Sequence, residues 1–373
     1  MTPPAHNDAE RADPHARWGD LYVAPGEQAE AAITVSETYL GLDIAIPIYV
    51  WRGERPGPAV FVTAAVHGDE INGAGAIRHI ITEQPFDLAA GTLVLIPVVN
   101  ILGFERHSRY LPDRRDLNRS FPGDSSGSLA SRFARAISDS VVARCDLGID
   151  LHTAAIRRTN FPNIRADMSN PRVADLARAF GAEIIVDNKG PKGTLRRSAC
   201  RAGKPAIILE AGEIWKVEPF YIDYTVRGLR NCLIHLGMVK GRIKPPAYAI
   251  VADKTQWVRA THGGFLVFHV APGEFVEQGA AIATNTSLTG REQNVIEAPV
   301  DGMVLGMTTL PSVAPGDPVC HLAFMRSGTL REALAAQEAL SARSLYRRTL
   351  DDLASNLHVA GADDHDAADR PRR

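Results

Sequence analysis

A chain of 373 residues, 45% of them hydrophobic and with 41 Lys+Arg against 43 Asp+Glu, is long enough for two or three cores and too apolar to be chiefly disordered. The formal net charge of −2, with both signs interspersed, gives no field to attract nucleic acid phosphates or an anionic membrane, so neither is expected as a partner. Small molecules or short peptides remain.

Residues 1–20 carry charges and prolines where a signal peptide needs an apolar stretch, and no apolar run reaches the roughly 18 residues of a membrane span. This segment and the Asp-rich tail 359–373 bury too little to offset their ordering entropy, and both are expected to be disordered. Cys145, Cys200, Cys232 and Cys320 lack C-x-x-C spacing, so neither a disulfide framework nor a thiolate zinc site is expected, and a reducing, cytoplasmic setting fits best. Association into a homo-oligomer is compatible with this composition.

From residue 21 to 244, strand-length apolar runs recur at 58–66, 92–99, 147–151, 183–186 and 205–209. Between them, Ala74, Ile77, Ile80 and Ile81 mark one helix face, and Leu129, Phe133, Ile137 and Val141 another. Apolar strands alternating with amphipathic helices predict an α/β domain with a mostly parallel sheet covered on both faces. The pattern changes at Lys244-Pro245-Pro246, and residues 245–326 read as short strands punctuated by glycine. There the Gly-Phe-Leu run from Gly264 and the Gly-Met-Val run from Gly302 begin two similar halves offset by 38 residues, which predicts an all-β domain built from a duplicated unit. It is similar to the barrel-sandwich hybrid fold of biotinyl and lipoyl domains, but residues 255–325 contain no lysine to carry such a cofactor. Residues 327–358 predict a C-terminal helix with a stripe of Tyr346, Leu350, Leu353 and Leu357.

Chemistry concentrates where the α/β strands end. His67 and Glu70 lie in Val-His-Gly-Asp-Glu after the run 58–66, and His152 lies in Asp-Leu-His-Thr after the run 147–151. Ligand crevices of open α/β sheets sit beyond the carboxyl ends of strands, so the three side chains converge. Two His and one Glu with a fourth position left for water make a catalytic rather than a structural zinc set. Asp150 is placed to orient His152, or else to cap the strand end. A base is still needed to move protons, and Glu210, which emerges first from the run 205–209, is preferred over Glu213. Between the ligand segments, the loop 108–123 holds four arginines, Arg109, Arg114, Arg115 and Arg119. Arginine grips a planar carboxylate with two parallel hydrogen bonds, and Asn118 adds a neutral donor, so the loop predicts a carboxylate-bearing substrate.

The ordered set H-G-D-E, D-L-N-R-S-F-P-G, D-L-H-T and E-A-G closely resembles the succinylglutamate desuccinylase/aspartoacylase family, zinc-dependent amidohydrolases related to the M14 carboxypeptidases, over roughly residues 40–240. The resemblance implies that His67, Glu70 and His152 bind one zinc ion and that Glu210 is the general base and acid. It also implies that Asn118 and Arg119 hold the substrate carboxylate and that Arg109 polarises the scissile carbonyl. The longer segment between Arg109 and Asn118 keeps Arg114 and Arg115 as alternatives for that last role, and a further family arginine is matched only by Arg196 or Arg197. The C-terminal hybrid barrel of the family packs near its active site. His79, on the polar side of the helix after Glu70, and His262, His269 and His321, which lack ligand spacing in the β domain, are read as structural. No phosphate-cradling G-x-G-x-x-G follows a strand, and no G-x-S-x-G suggests a serine nucleophile. The expected activity is removal of an acyl group from an N-acyl amino acid or related carboxylate-bearing amide. A carboxypeptidase-like peptide hydrolase and a non-catalytic zinc-binding homologue are the alternatives.

Overall fold

The computed structural model describes residues 15–19, 21–290, 293–325, 327–341, 343–355 and 357. The tail 359–373, expected to be disordered, lies outside them, as do residues 1–14. Within the other segment so expected, β1 (Arg17–Trp18) pairs with β2 (Leu21–Tyr22). Trp18 is buried beside Val23 and donates its indole N–H to the His15 carbonyl at 3.0 Å, so one large aromatic ties this short piece down.

The first part of the chain supplies β3 (Gln28–Glu37), β4 (Asp43–Arg52), β5 (Arg55–Ala64), β6 (Ala90–Ile96), β7 (Leu147–His152), β8 (Arg158–Ala166), β9 (Ile184–Asp187) and β10 (Ala206–Gly212). The last third supplies β11 (Ile250–Ala252), β12 (Thr255–Arg259), β13 (Gly264–Phe268), β14 (Phe275–Val276), β15 (Ala281–Thr286), β16 (Gln293–Glu297), β17 (Gly302–Thr308), β18 (Ser312–Val313) and β19 (Pro318–Phe324). Thirteen of these form one sheet whose main order is β12-β19-β17-β8-β10-β7-β5-β6-β4-β3. Its centre, β6-β5-β7-β10, and the branch β8-β9-β11 are parallel and its other pairs antiparallel, so the mostly parallel sheet expected from the sequence is instead mixed. The connection 153–157 is too short for a crossover, so β8 turns back antiparallel to β10. At the other margin β4 pairs antiparallel with β6.

Helices cover both faces. α1 (Asn72–Glu83) buries Ile77 and Ile80, and after the short α2 (Ile101–Glu105), α3 (Leu129–Ser140) buries Phe133 and Ile137. α4 (Pro171–Phe180), α5 (Leu195–Arg201) and α6 (Pro219–His235) follow. One core joins α1, α4 and α6 to the sheet, and a second lies under α3, α5 and the β3–β4 hairpin. The single C-terminal helix expected from the sequence is two, α7 (Ser327–Glu338) and α8 (Leu345–Ala354). The Ser344 side chain starts the second by accepting from the Arg347 amide.

The C-terminal strands do not stand apart from the first sheet. β11 adds parallel to β9, and β17 pairs with β8, Gly306 facing Asn160. The sequence repeat appears as an exchange, since β13 of the first half pairs with β18 of the second, and β17 of the second pairs with β14 of the first. A four-stranded sheet, β16-β15-β13-β18, shares with β12, β17 and β19 a third core of Val258, Leu266, Phe268, Ile282, Val304 and Leu322.

Candidate active site

His67 and Glu70 leave the end of β5 in a tight turn in which the Glu70 amide donates to the His67 carbonyl at 3.1 Å. A Cβ at Gly68 would collide with the backbone of Gly103 and Phe104, so only glycine fits between the two. His152 ends β7, the parallel neighbour of β5. The Nδ1 atoms of His67 and His152 face opposite oxygens of the Glu70 carboxylate at 2.6 and 2.8 Å. The Thr153 amide donates to the second oxygen at 3.1 Å. All three residues are buried, and their candidate ligand atoms lie within 4.8 Å of one another.

The far ring nitrogens are held as well. His152 Nε2 lies 2.8 Å from Asp150, whose other oxygen accepts from the Thr63 hydroxyl at 2.8 Å. His67 Nε2 lies 3.2 Å from Asp116. A carboxylate on Nε2 fixes the tautomer whose Nδ1 lone pair points inward, the arrangement found around metal-binding imidazoles. Asp116 was not foreseen in this role, although it stands in the D-L-N-R motif. The Arg109 guanidinium bridges Glu70 and Asp116, 3.1 Å from each.

Burial opposes the charge on every group here, and the neighbours override it. Glu70 is held well below the usual carboxylate range by His67 and His152, and Asp116 by His67, Arg109 and Arg119. Burial lowers both imidazoles, but Glu70 and Asp116 around His67, and Asp150 and Glu70 around His152, leave them raised. Carboxylates outnumber the cations held against them here, and the donor set of two imidazoles and one carboxylate fits zinc.

The cluster opens on a cleft of about 270 Å³. A transverse row across the sheet builds its floor: Trp257 faces His321, His321 faces Gly306, Gly306 faces Asn160, and Glu210 faces His152. Glu210 lines the cleft, its Oε2 accepting from Asn160 Nδ2 at 3.2 Å and its Oε1 lying 3.5 Å from Arg165. Glu213 does not line it and pairs with Lys216 at 2.9 Å.

Asn118 and Arg119 both line the cleft. Asn118 Oδ1 is taken by the Leu195 amide at 2.9 Å, which leaves its amide N–H for the cleft. Arg119 donates to the Asn118 carbonyl at 2.7 Å. Arg196 also lines it, bonded to the Asn188 carbonyl and side chain at 2.9 and 2.6 Å, and burial pushes its guanidinium down to about 10. Arg197 turns away to the Gly190 carbonyl at 2.6 Å. Arg114 and Arg115, the alternatives to Arg109, are not among the lining residues. Arg158, Arg165, Asn160, Trp257 and His321 also line the cleft, although the sequence reading assigned none of them to a site and took His321 as structural.

The profile of the succinylglutamate desuccinylase/aspartoacylase catalytic domain matches residues 56–236. An N-alpha-acetyl-L-2,4-diaminobutyric acid deacetylase of Halomonas elongata is 30% identical over 295 residues, covering 75% of this chain and 86% of that protein. In fold, the chain is similar to the product-bound ectoine utilization protein EutE (DoeB) of Ruegeria pomeroyi, with a TM-score of 0.71 and 23% identity over 82% of this chain and 98% of that one. A succinylglutamate desuccinylase/aspartoacylase structure from Rhodobacter sphaeroides gives a TM-score of 0.67 and 25% identity over 79% and 94%. By motif order, domain match and identity sustained over most of both chains, the chain belongs to the succinylglutamate desuccinylase/aspartoacylase family.

Proposed function

We propose that the chain is a zinc-dependent amidohydrolase that removes the acyl group from an N-acyl amino acid or a related carboxylate-bearing amide, acting on a non-peptide C–N bond. The observation that carries this reading is the buried His67–Glu70–His152 cluster opening on the same cleft as Glu210 and several arginines. The deacetylase activity named for the Halomonas elongata relative supports it.

In this reading His67, Glu70 and His152 hold a single zinc ion. When bound, zinc polarises the amide carbonyl and makes water acidic enough to deprotonate near neutrality. Glu210 takes the proton of the attacking water and returns it to the leaving amine, with Asn160 fixing the orientation of its carboxylate. Arg109, already held beside Glu70, faces the negative charge that grows on the carbonyl oxygen. Asn118, Arg119 and Arg196 bind the substrate carboxylate, and Arg197 braces the segment that presents Arg196. A cleft of about 270 Å³, walled by Trp257 and His321, suits a small acyl amino acid better than a peptide.

We place the domains as a catalytic unit over 21–244, a barrel-sandwich-hybrid-like unit over 245–326 and a helical end over 327–358. The exchanged β13–β18 and β17–β14 pairs support the second. The reading also includes a cytoplasmic setting and a homo-oligomer. Among the described residues no helix is long and apolar enough to cross a membrane.

The test is turnover of N-acetyl, N-succinyl and N-formyl amino acids beside short peptides by the zinc-loaded protein. Glu210→Gln should keep zinc and fold while lowering kcat by at least about 100-fold, the scale of a positioned base, and Glu213→Gln should do far less. Preference for peptides would favour a carboxypeptidase, and equal effects of the two variants would sink the assignment of Glu210.

A further inference from the structure

We infer that Glu218 and Asn72 are positioning residues for the reaction: together they close a ring of hydrogen bonds that sets Glu210 against the His67–Glu70–His152 cluster. Neither residue is among those lining the cleft, and no step described above uses either. The inference rests on the amidohydrolase reading and on Glu210 as its base.

Both side chains are buried, Asn72 as the first residue of α1 and Glu218 as the residue before α6. The Glu218 amide donates to Asn72 Oδ1 at 2.7 Å, and Asn72 Nδ2 donates to Glu218 Oε2 at 2.6 Å and to the Glu213 carbonyl at 3.0 Å. The Glu213 amide donates to the same Glu218 oxygen at 3.0 Å. Asn72 thus commits both N–H groups and its oxygen to these partners, and since a backbone N–H must meet an oxygen, the orientation of its carboxamide is fixed. Glu218 stands where a side chain normally caps the helix that follows, yet it makes no such bond to α6. Capping therefore does not account for its buried carboxylate. The ring does account for Gly212, the glycine of E-A-G, because a Cβ there would collide with the Glu218 carboxylate and the Asn72 amide.

From Asn72 the chain runs back two residues to Glu70, whose carboxylate accepts from the Thr153 amide. The next amide, that of Ala154, donates to the Gly212 carbonyl at 3.1 Å. Glu213 then returns to Glu218 and Asn72. The ring joins the carboxyl ends of β5, β7 and β10, the three strands that deliver the candidate ligands and the base. Beside it, the Trp215 amide donates to the Asp69 carbonyl at 3.0 Å. The two imidazoles have anchors of their own in Asp116 and Asp150. Glu210 instead lies where the ladder from β10 to β8 is interrupted, so its placement leans on what holds the chain just beyond it, Ala154 on Gly212 and Glu218 on Glu213. Opening the ring at Glu218 should therefore displace the base before it disturbs the metal ligands or the arginines that bind substrate.

Glu218→Ala and Asn72→Ser open the ring from its two sides, whereas Glu218→Gln keeps an oxygen for Asn72 and the Glu213 amide. On an N-acyl amino acid that the wild type hydrolyses, assayed well below each variant's Tm, the first two should each lower kcat by about tenfold or more, with KM within about twofold. Zinc affinity, read by competition with a chelator, should stay within about threefold. The double variant should be no slower than the worse single one, because one ring opens only once. Glu218→Gln should recover kcat to within about threefold of the wild type. Hydrogen–deuterium exchange reads the ring without turnover: residues 212–218 should lose protection in Glu218→Ala and regain it in Glu218→Gln. If Glu218→Ala does not fold, the milder Asn72→Ser carries the same readings. An unchanged kcat in the opened variants, a loss of zinc that matches the loss of kcat, or a Glu218→Gln variant as slow as Glu218→Ala overturns the positioning role and leaves the amidohydrolase reading standing. A zinc-loaded wild type that hydrolyses no acyl amino acid removes both.

Discussion

Asp116 and Asp150 do the same work for different imidazoles. Each takes the Nε2 of one histidine, at 3.2 and 2.8 Å, and so aims its Nδ1 at Glu70. Asp150 was legible because it stands two residues before His152 in one strand, where a carboxylate and a strand-end histidine share a sheet face. Asp116 was not, because it reaches His67 across 49 residues from a loop, and a short motif does not say which of its polar groups folds back. Asp116→Asn and Asp150→Asn should each weaken zinc binding by about 10- to 100-fold with the fold intact, measured by competition with a chelator. An unchanged affinity for Asp116→Asn would reduce that residue to a partner of Arg109. His321 offers a pH test. Its folded value of about 3 lies below the unfolded histidine near 6.5, so the unfolded chain binds the extra proton between the two. The stability its neutral form contributes is complete above about pH 6.5 and is lost as pH falls toward 3, by at most about 1.4 kcal/mol per pH unit. His321→Phe, with nothing to titrate, should therefore gain thermal stability relative to the wild type between pH 6.5 and 4.5. A pH-independent difference in Tm would show that the imidazole is not held neutral.

At the scale of elements, the parallel centre was readable because buried parallel strands are apolar on both faces and lie between amphipathic helices. The strand β8 was invisible. Its sequence Arg-Thr-Asn-Phe-Pro-Asn-Ile-Arg-Ala places a proline and two asparagines where a strand should be β-branched, and it reads as a loop. The structure shows how it is tolerated. On one side β8 pairs with β17 through residues 158–160 and with β9 through 164–166, so Pro162 falls in the gap between partners, where no ladder bond is asked of it. On the other side the register with β10 shifts between Glu210 and Gly212, which turns Glu210 toward Asn160. Missing β8 meant missing Arg158, Asn160 and Arg165 together. Gly306 on β17 is the counterpart of this arrangement, since a Cβ there would strike the Asn160 side-chain oxygen and the Thr159 carbonyl. Gly306→Ala should displace Asn160, and through it Glu210, lowering kcat several-fold with KM little changed, and should cost about 1–3 kcal/mol from overpacking. A stability loss with kcat intact would mean that the Asn160 contact to Glu210 does not matter to turnover.

At the scale of the molecule, the repeat from Gly264 to Gly302 was legible because duplication leaves glycines at equivalent turns. How it joins the strands before residue 244 was not, because pairing between β8 and β17 joins residues about 150 positions apart and leaves no local trace in either strand. The main core is a joint product. Ile250, Ala252, Met303, Leu305, Tyr346, Leu350 and Leu353 belong to the same buried cluster as Ile77, Leu151 and Phe180. Phe161 packs against Tyr346 with ring centroids 5.6 Å apart. A chain ending at Lys244 would leave the β17 side of β8 and the β11 side of β9 unpaired and would expose that cluster to water, an open edge that favours aggregation. It would also lose Trp257 and His321 from the cleft. The fragment 1–244 should therefore be poorly soluble or melt well below the full chain, and should fail to hydrolyse any acyl amino acid that the full chain accepts. Thermal unfolding followed by circular dichroism, with turnover assayed on the same samples, decides the matter. A fragment with the parental Tm and kcat would show a self-sufficient catalytic domain, and the shared sheet would then be a docking contact rather than part of what makes the first half fold.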